Sequence, residues 1–291
     1  MLEKGKNKFI EKVKQLTTRF LLLGLIVLMG CEIKAVNDEL DSSPNTNKPY
    51  GQEFSNSKAH TQHGFINDSS KKYIYLSFDD GPQHGTLETF AICRDNGIKA
   101  TYFMIGLHTI SRKDGREIVL KIKNSYPQFL LANHSFSHAS GHYTDFYKHS
   151  GRSLLDFLRT QDTLKPPFKI IRLPGNNAWV LKDTMHASGL VRSVCKLLDS
   201  TGYNIIGWDT EWTFNHKTAL PAQSAELMAS QIIHLLEKNE TFTKNHLVLL
   251  THDRIFHRQQ DLDSLNKMIG ILKKQPNFVF ETIDHYPGLK R

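Results

Sequence analysis

From about residue 72 onward the chain alternates short apolar runs with longer amphipathic ones, and this alternation limits the fold more than any other feature of the sequence. The short runs predict strands at 73–78, 100–105, 129–132, 169–172, 204–208, 247–251 and 278–283. The stretches between them carry apolar residues at helical spacing over 87–95, 116–122, 153–164, 188–198, 224–236 and 262–272. Seven strands with helices between them predict a parallel α/β domain. A chain of 291 residues, 39% of them hydrophobic, is enough for one substantial core, hence one catalytic domain plus extensions.

The polar residues at the strand ends show a second regularity. Asp79 and Asp80, His134, Arg172 with Pro174, Asp209 with Trp212, and His252 each lie at or just past the end of a predicted strand. In a β/α barrel, side chains at those ends converge on one face and build the active site.

Ser77-Phe78-Asp79-Asp80-Gly81-Pro82 places two carboxylates side by side, and Gly81-Pro82 predicts a turn directly after them. Adjacent residues leaving a strand point to opposite sides, which would let one carboxylate ligate a cation while its neighbour takes a proton. In Asn133-His134-Ser135-Phe136-Ser137-His138, the i, i+4 spacing of the histidines predicts two rings on one face of a helical turn. Two imidazoles and a carboxylate leave a coordination position open, which is the pattern of catalytic rather than structural zinc.

The first thirty residues read as a targeting segment. Lys4, Lys6, Lys8, Lys12, Lys14 and Arg19 precede the apolar run from Phe20 to Met29, which is short for a membrane span. Leu28-Met29-Gly30-Cys31 resembles a bacterial lipobox, which implies a signal peptide over 1–30 and lipidation of Cys31. An uncleaved signal anchor is the other reading, and either one exports the domain and keeps it at a membrane. Residues 31–71 are polar and poor in large apolar groups, as expected of a tether, leaving 72–291 as the catalytic domain. The net charge is +8, and half of the excess lies in residues 1–30, so the remainder gives no footprint for nucleic acid. Cys93 and Cys195 fall in predicted helices and read as buried thiols.

Taken in order, these motifs resemble the polysaccharide deacetylase family, the NodB-homology domain of carbohydrate esterase family 4, over about residues 72–285. Ser77 to Pro82 is similar to the first motif of that family, and His134-Ser135-Phe136-Ser137-His138 is similar to its HSxxH motif. Arg172-Leu173-Pro174-Gly175, Asp209-Thr210-Glu211-Trp212 and Leu250-Thr251-His252 are similar to its third, fourth and fifth. The resemblance implies a distorted (β/α) barrel of about seven parallel strands. It also implies a divalent ion on Asp80, His134 and His138, usually zinc, with cobalt, nickel or manganese as alternatives. Asp79 is then the base, held by Arg172, and His252 the acid, supported by Asp209 or else Glu211. Pro174, Gly175, Trp212 and Leu250 are expected to contact substrate. The implied partner is an N-acetylated polysaccharide, peptidoglycan or poly-N-acetylglucosamine. Two departures stand out: Gly175-Asn176-Asn177 follows the proline where the family often has an aromatic, and Glu211 occupies the place of the aspartate before Trp212.

Overall fold

The computed structural model describes residues 67–290; the leader, Cys31 and residues 31–66 of the tether lie outside them. One ten-stranded sheet organises the described residues. Its strands are β1 (Lys72–Gly81), β2 (Ala100–Met104), β3 (Phe129–Asn133), β4 (Ile170–Ile171), β5 (Trp179–Leu181), β6 (Thr184–His186), β7 (Asn204–Ile205), β8 (Thr210–Glu211), β9 (His246–His252) and β10 (Phe278–Phe280). The order is β6-β5-β7-β4-β3-β2-β1-β9-β8, with β10 paired to the start of β1. All pairings are parallel except those of β5 with β6 and with β7. The helices are α1 (Thr86–Asp95), α2 (Gly106–Ser111), α3 (Gly115–Lys123), α4 (Tyr143–Lys148), α5 (Ser150–Leu164), α6 (Arg192–Ser200), α7 (Ala225–Lys238) and α8 (Gln259–Lys273).

The seven expected strands are all present, and three further ones accompany them. Thr184–His186 is largely exposed, and its hairpin turns at Lys182-Asp183 without the glycine or asparagine that normally announces a two-residue turn. Strands β5, β6 and β8 are only two or three residues long, too short to show a period.

The sheet curls so that its two faces meet different partners. On β1, Ile74, Leu76 and Phe78 face outward into a cluster with Phe90 of α1, Ile118 of α3, Met228 of α7 and Leu265 of α8. The alternate residues Tyr73 and Tyr75 face inward, where they join Phe103, Leu130, Ala132, Ile170, Ile206 and Val248 in the barrel interior. Strands covered on both faces are apolar throughout, which is why β1 shows as one continuous apolar run.

Period two carries this division up to the active end. Tyr73 and Tyr75 are followed inward by Ser77 and Asp79, Leu130 and Ala132 by His134, Ile170 by Arg172, and Val248 by Leu250 and His252. The same parity that fills the core therefore aims these polar residues at one another above it.

Leu249 lies in β9 between β1 and β8 and is fully buried in the outer cluster. Leu249→Ala should cost about 2–5 kcal/mol, read as a lower urea midpoint with an unchanged slope.

Candidate active site

Asp79 is the inward residue at the end of β1, paired in register with Phe103 of β2 and His252 of β9. The register with β2 then slips by one, since Gly81 pairs with Met104 and leaves Asp80 as the extra residue of a bulge. Asp80 accordingly takes a left-handed backbone, φ 75°. A bulge re-aims a side chain, and here it turns Asp80 into the space that Asp79 already faces. The two carboxylates do not diverge as strand alternation predicts: both approach His134 Nε2, Asp79 Oδ2 at 3.5 Å and Asp80 Oδ1 at 3.4 Å.

His134 follows the last residue of β3, and the chain then leaves any helical path. Ser135 (φ 69°), His138 (φ 51°), Ala139 (φ 55°) and Ser140 (φ 47°) all have left-handed backbones, so the two histidines do not share a helical turn. Local hydrogen bonds hold the loop instead. Asn133 Oδ1 accepts from Ser135 N, Ser135 Oγ accepts from His138 N, and Asp156 Oδ1 accepts from both Phe136 N and Ser137 N. This path brings His138 Nε2 to 3.0 Å from Asp80 Oδ1.

Arg172 is fully buried and binds everything within its reach. Its Nη1 donates to Asp79 Oδ1 at 2.9 Å and to Ser77 Oγ at 2.7 Å, its Nε to Ile206 O, and its Nη2 to Gly207 O. The guanidinium also lies 4.2 Å over the Phe103 ring. Burial pulls the Arg172 pKa down while Asp79 pushes it back up.

The donor set fits a divalent cation. His134 Nδ1 faces the carbonyl oxygen of Arg172 at 3.0 Å and must donate to it, which leaves Nε2 as a bare lone pair aimed at carboxylate oxygens. Asp80 Oδ1 is buried with no hydrogen-bond donor although two imidazole nitrogens stand beside it. Lone pairs converging in this way call for positive charge between them, and the ligand atoms of Asp80, His134 and His138 all lie within 4.8 Å of one another. The titration directions agree. Burial pushes Asp80 up, but the two imidazoles beside it outweigh that and hold the carboxyl well below the usual range. Burial likewise pulls His134 down, yet the charges of Asp79 and Asp80 raise it above an ordinary imidazole.

These groups open into a cavity of about 530 Å³, which His252, Leu250, Gly175, Tyr143, Trp208 and Phe214 also line. Its sequence likeness is specific: residues 66–177 match the family model described as polysaccharide deacetylase. It is residues 66–177, with both carboxylates, both histidines and Arg172, that carry the polysaccharide deacetylase likeness. Two curated relatives extend the likeness beyond that stretch. The chitin disaccharide deacetylase of Vibrio alginolyticus is 24% identical over 323 aligned residues, 79% of this chain and 75% of its own. The peptidoglycan-N-acetylglucosamine deacetylase of Bacillus cereus is 26% identical over 237, 76% of this chain and 74% of its own. Among solved structures, a CE4 esterase from Streptococcus mutans shares the fold with a TM-score of 0.54 at 21% identity, over 72% of this chain and 86% of that one.

Not every expected site residue reaches the cavity. Trp212 is completely buried in the outer core, edge-on to Phe256, with Nε1 donating to Gln223 O. It anchors the loop that follows and does not line the cavity. Pro174 contributes a carbonyl to Tyr147 OH, while its neighbours Leu173 and Gly175 form the wall. Gly175 has φ 62°, and a Cβ there would press on the Tyr143 ring at 3.1 Å, so the glycine lets Tyr143 stand against it as an aromatic part of the wall.

Asp209 does not support His252. Its Oδ1 accepts from Phe242 N at 2.5 Å and its Oδ2 from Val248 N at 2.7 Å. Val248 lies four residues before His252 in β9, roughly 13 Å away at strand rise, out of side-chain reach. Burial raises the Asp209 pKa to about 6 against those two amides. Glu211 lines the cavity but makes no hydrogen bond to His252, whose Nδ1 is buried and unpaired. Cys93 and Cys195 are free, buried thiols.

Two residues that carried no sequence signal shape the site. His108 on α2 places Nδ1 2.7 Å from the Asp80 carbonyl and fixes the bulge. Asp253, also fully buried, accepts from Gln83 Nε2 at 2.6 Å and from Thr86 Oγ1, tying the turn after β1 to the end of β9.

Both the strained loop and the buried acid are testable. Ala139 holds a left-handed backbone, φ 55°, which glycine adopts without the Cβ penalty, so Ala139→Gly should raise stability by about 0.5–1 kcal/mol in urea denaturation. Burial raises the Asp253 pKa from 3.8 to about 7, so the folded state holds that proton more tightly than the unfolded one. The resulting stability is complete below 3.8 and is lost as pH rises through about 7. Asp253→Asn should flatten that decline, seen as a smaller fall in melting temperature across the same window.

Proposed function

We propose that this deacetylase domain is a metal-dependent N-deacetylase of N-acetylglucosamine-containing glycan, peptidoglycan or poly-N-acetylglucosamine, releasing acetate and leaving a free amine. The observation that carries this reading is the division of labour between adjacent carboxylates: Asp80 meets two imidazoles while Asp79 is tied to Arg172. Names of the two curated relatives, for chitin disaccharide and for peptidoglycan, support an N-acetylated glycan substrate.

Asp80, His134 and His138 would hold the ion, zinc by the character of the donors. When bound, a divalent ion supplies a Lewis acid that acidifies water and polarises an amide carbonyl. Asp79 is oriented through Oδ1 by Arg172 and keeps Oδ2 on the cavity side, so it takes the proton of the attacking water. His252 faces the same cavity with Nε2 3.9 Å from Asp80 Oδ2, placed to protonate the departing amine. Leu250 offers an apolar wall to the acetyl methyl, and the backbone N–H of Gly175 is the candidate donor to the oxyanion. The basic leader, the apolar run to Met29 and Cys31 support an exported, lipid-anchored protein of the bacterial envelope with the domain on a tether.

Acetate release measured side by side on N-acetyl and O-acetyl glycans, with and without chelator, tests the reaction. Activity confined to O-acetyl substrates, or activity indifferent to chelation, overturns the proposal. Asp79→Asn should lower turnover by about 10²–10⁴-fold while retaining metal. Asp80→Asn should weaken zinc affinity by at least about tenfold, read by competition with a chromophoric chelator.

A further inference from the structure

One wall of the cavity is built by an excursion after β8 that hydrogen-bonds to itself. Trp212 roots it in the core through Gln223 O, Gln223 Oε1 accepts from Thr213 N and Oγ1, Ala222 N donates to Thr213 O, and Asn215 N donates to Leu220 O. These bonds fix Phe214, whose ring stands edge-on to His252 at 5.0 Å and to His216 at 4.7 Å. The guanidinium of Arg254 lies over the same ring, 5.5 Å from its centroid. Arg254 is thus held one aromatic ring away from the residue that protonates the amine.

Arg254 is exposed, lines the cavity and makes no ion pair among the described residues. The acids of the cavity are otherwise engaged or distant: Asp79 binds Arg172, Asp80 faces the histidines, and Glu211 forms no ion pair with Arg254. His216 adds an imidazole, a second hydrogen-bonding group, against the Phe214 ring. A planar guanidinium pre-oriented on an aromatic face presents its fork of donors to a carboxylate.

We propose that Arg254, flanked by His216, is a subsite for a carboxylate on the sugar next to the N-acetylglucosamine that loses its acetyl group. This rests on the deacetylase reading and deepens it, because the preferred polymer is then acidic. A lactyl ether on a muramic unit and a uronic acid share that chemistry.

The test compares kcat/KM for an N-acetylglucosamine–muramic acid tetrasaccharide, the same oligosaccharide with its carboxyls reduced to alcohols, and an N-acetylglucosamine–glucuronic acid tetrasaccharide. The protein should prefer a carboxylate-bearing substrate over the reduced one by about tenfold, less at high salt. Whichever acidic sugar shows the preference identifies the source. In Arg254→Gln the ratio of acidic to reduced substrate should fall to about one, and Arg254→Lys should restore part of it. No preference in the parent protein, or an equal loss on both substrates in Arg254→Gln, overturns the subsite, the latter because Arg254 would then act only through Phe214 on His252. If no glycan is turned over, the deacetylase reading has failed. The subsite is then judged by calorimetric binding of the same pair, where equal affinity overturns it.

Discussion

The buried ion pair of Arg172 with Asp79 is the interaction on which the rest of the site depends. Arg172 leaves β4 and binds β1 through Ser77 and Asp79 and the end of β7 through two carbonyls. Its own carbonyl receives His134 from β3. One side chain and its peptide therefore tie four strand ends together. Burying such a pair costs several kcal/mol per ion, and good geometry with every donor engaged offsets that cost. Four of the five guanidinium hydrogens have acceptors here. Loss of the Arg172 guanidinium would leave Asp79 as an unpaired buried charge, while the carbonyl at 172 would still receive His134 Nδ1, so the base would fail before the ligand set.

Around this pair the backbone is held in unfavourable conformations where the chemistry needs them. Asp80 is a left-handed bulge residue, and His138 begins a run of left-handed residues through Gly141. Such conformations cost about 1–2 kcal/mol each for residues bearing a Cβ. They persist because His108 fixes the Asp80 carbonyl, Ile105 N donates to the Gly81 carbonyl, and Asp156 receives two amides of the histidine loop. The strain turns Asp80 and His138 out of the directions that a plain strand and a plain helical turn would give them, and into contact.

Most of the architecture was legible because the barrel is built from period-two strands covered on both faces. Apolar runs mark the seven main strands, and the parity of Tyr73, Tyr75, Ser77 and Asp79 already puts the base inside. Short strands such as β6 and β8 have too few residues to display a period. The bulge at Asp80 was not legible, since it depends on the register against β2. Asp209 was misread for a related reason: lying near Trp212 in sequence says nothing about its level along β9, where it meets Val248 and not His252. The family resemblance implied a substrate contact for Trp212, but a large apolar ring beside a helix-covered sheet gains more by burial. Tyr143, Phe214 and Arg254 reach the cavity from loops or short helices, where no period announces which way a side chain faces.

This contrast separates two parts of the site by origin. The family match over residues 66–177 takes in both carboxylates, both histidines, Arg172 and Gly175, all fixed by strand ends and the turns directly after them. Trp208, Glu211, Phe214, His216, His252 and Arg254 lie beyond it, and all but His252 and Glu211 sit on loops and turns. A centre that handles an acetamide must meet the same geometry whatever polymer carries that group, so it belongs on the rigid strand ends. Recognition of the neighbouring sugars has no such requirement and can be rebuilt on loops without disturbing the Arg172 pair. The self-bonded excursion from Trp212 to Gln223 is rooted in the core by Trp212 and Phe214. It is there, rather than at the carboxylates, that the lining of the cavity can change without disturbing the Arg172 pair.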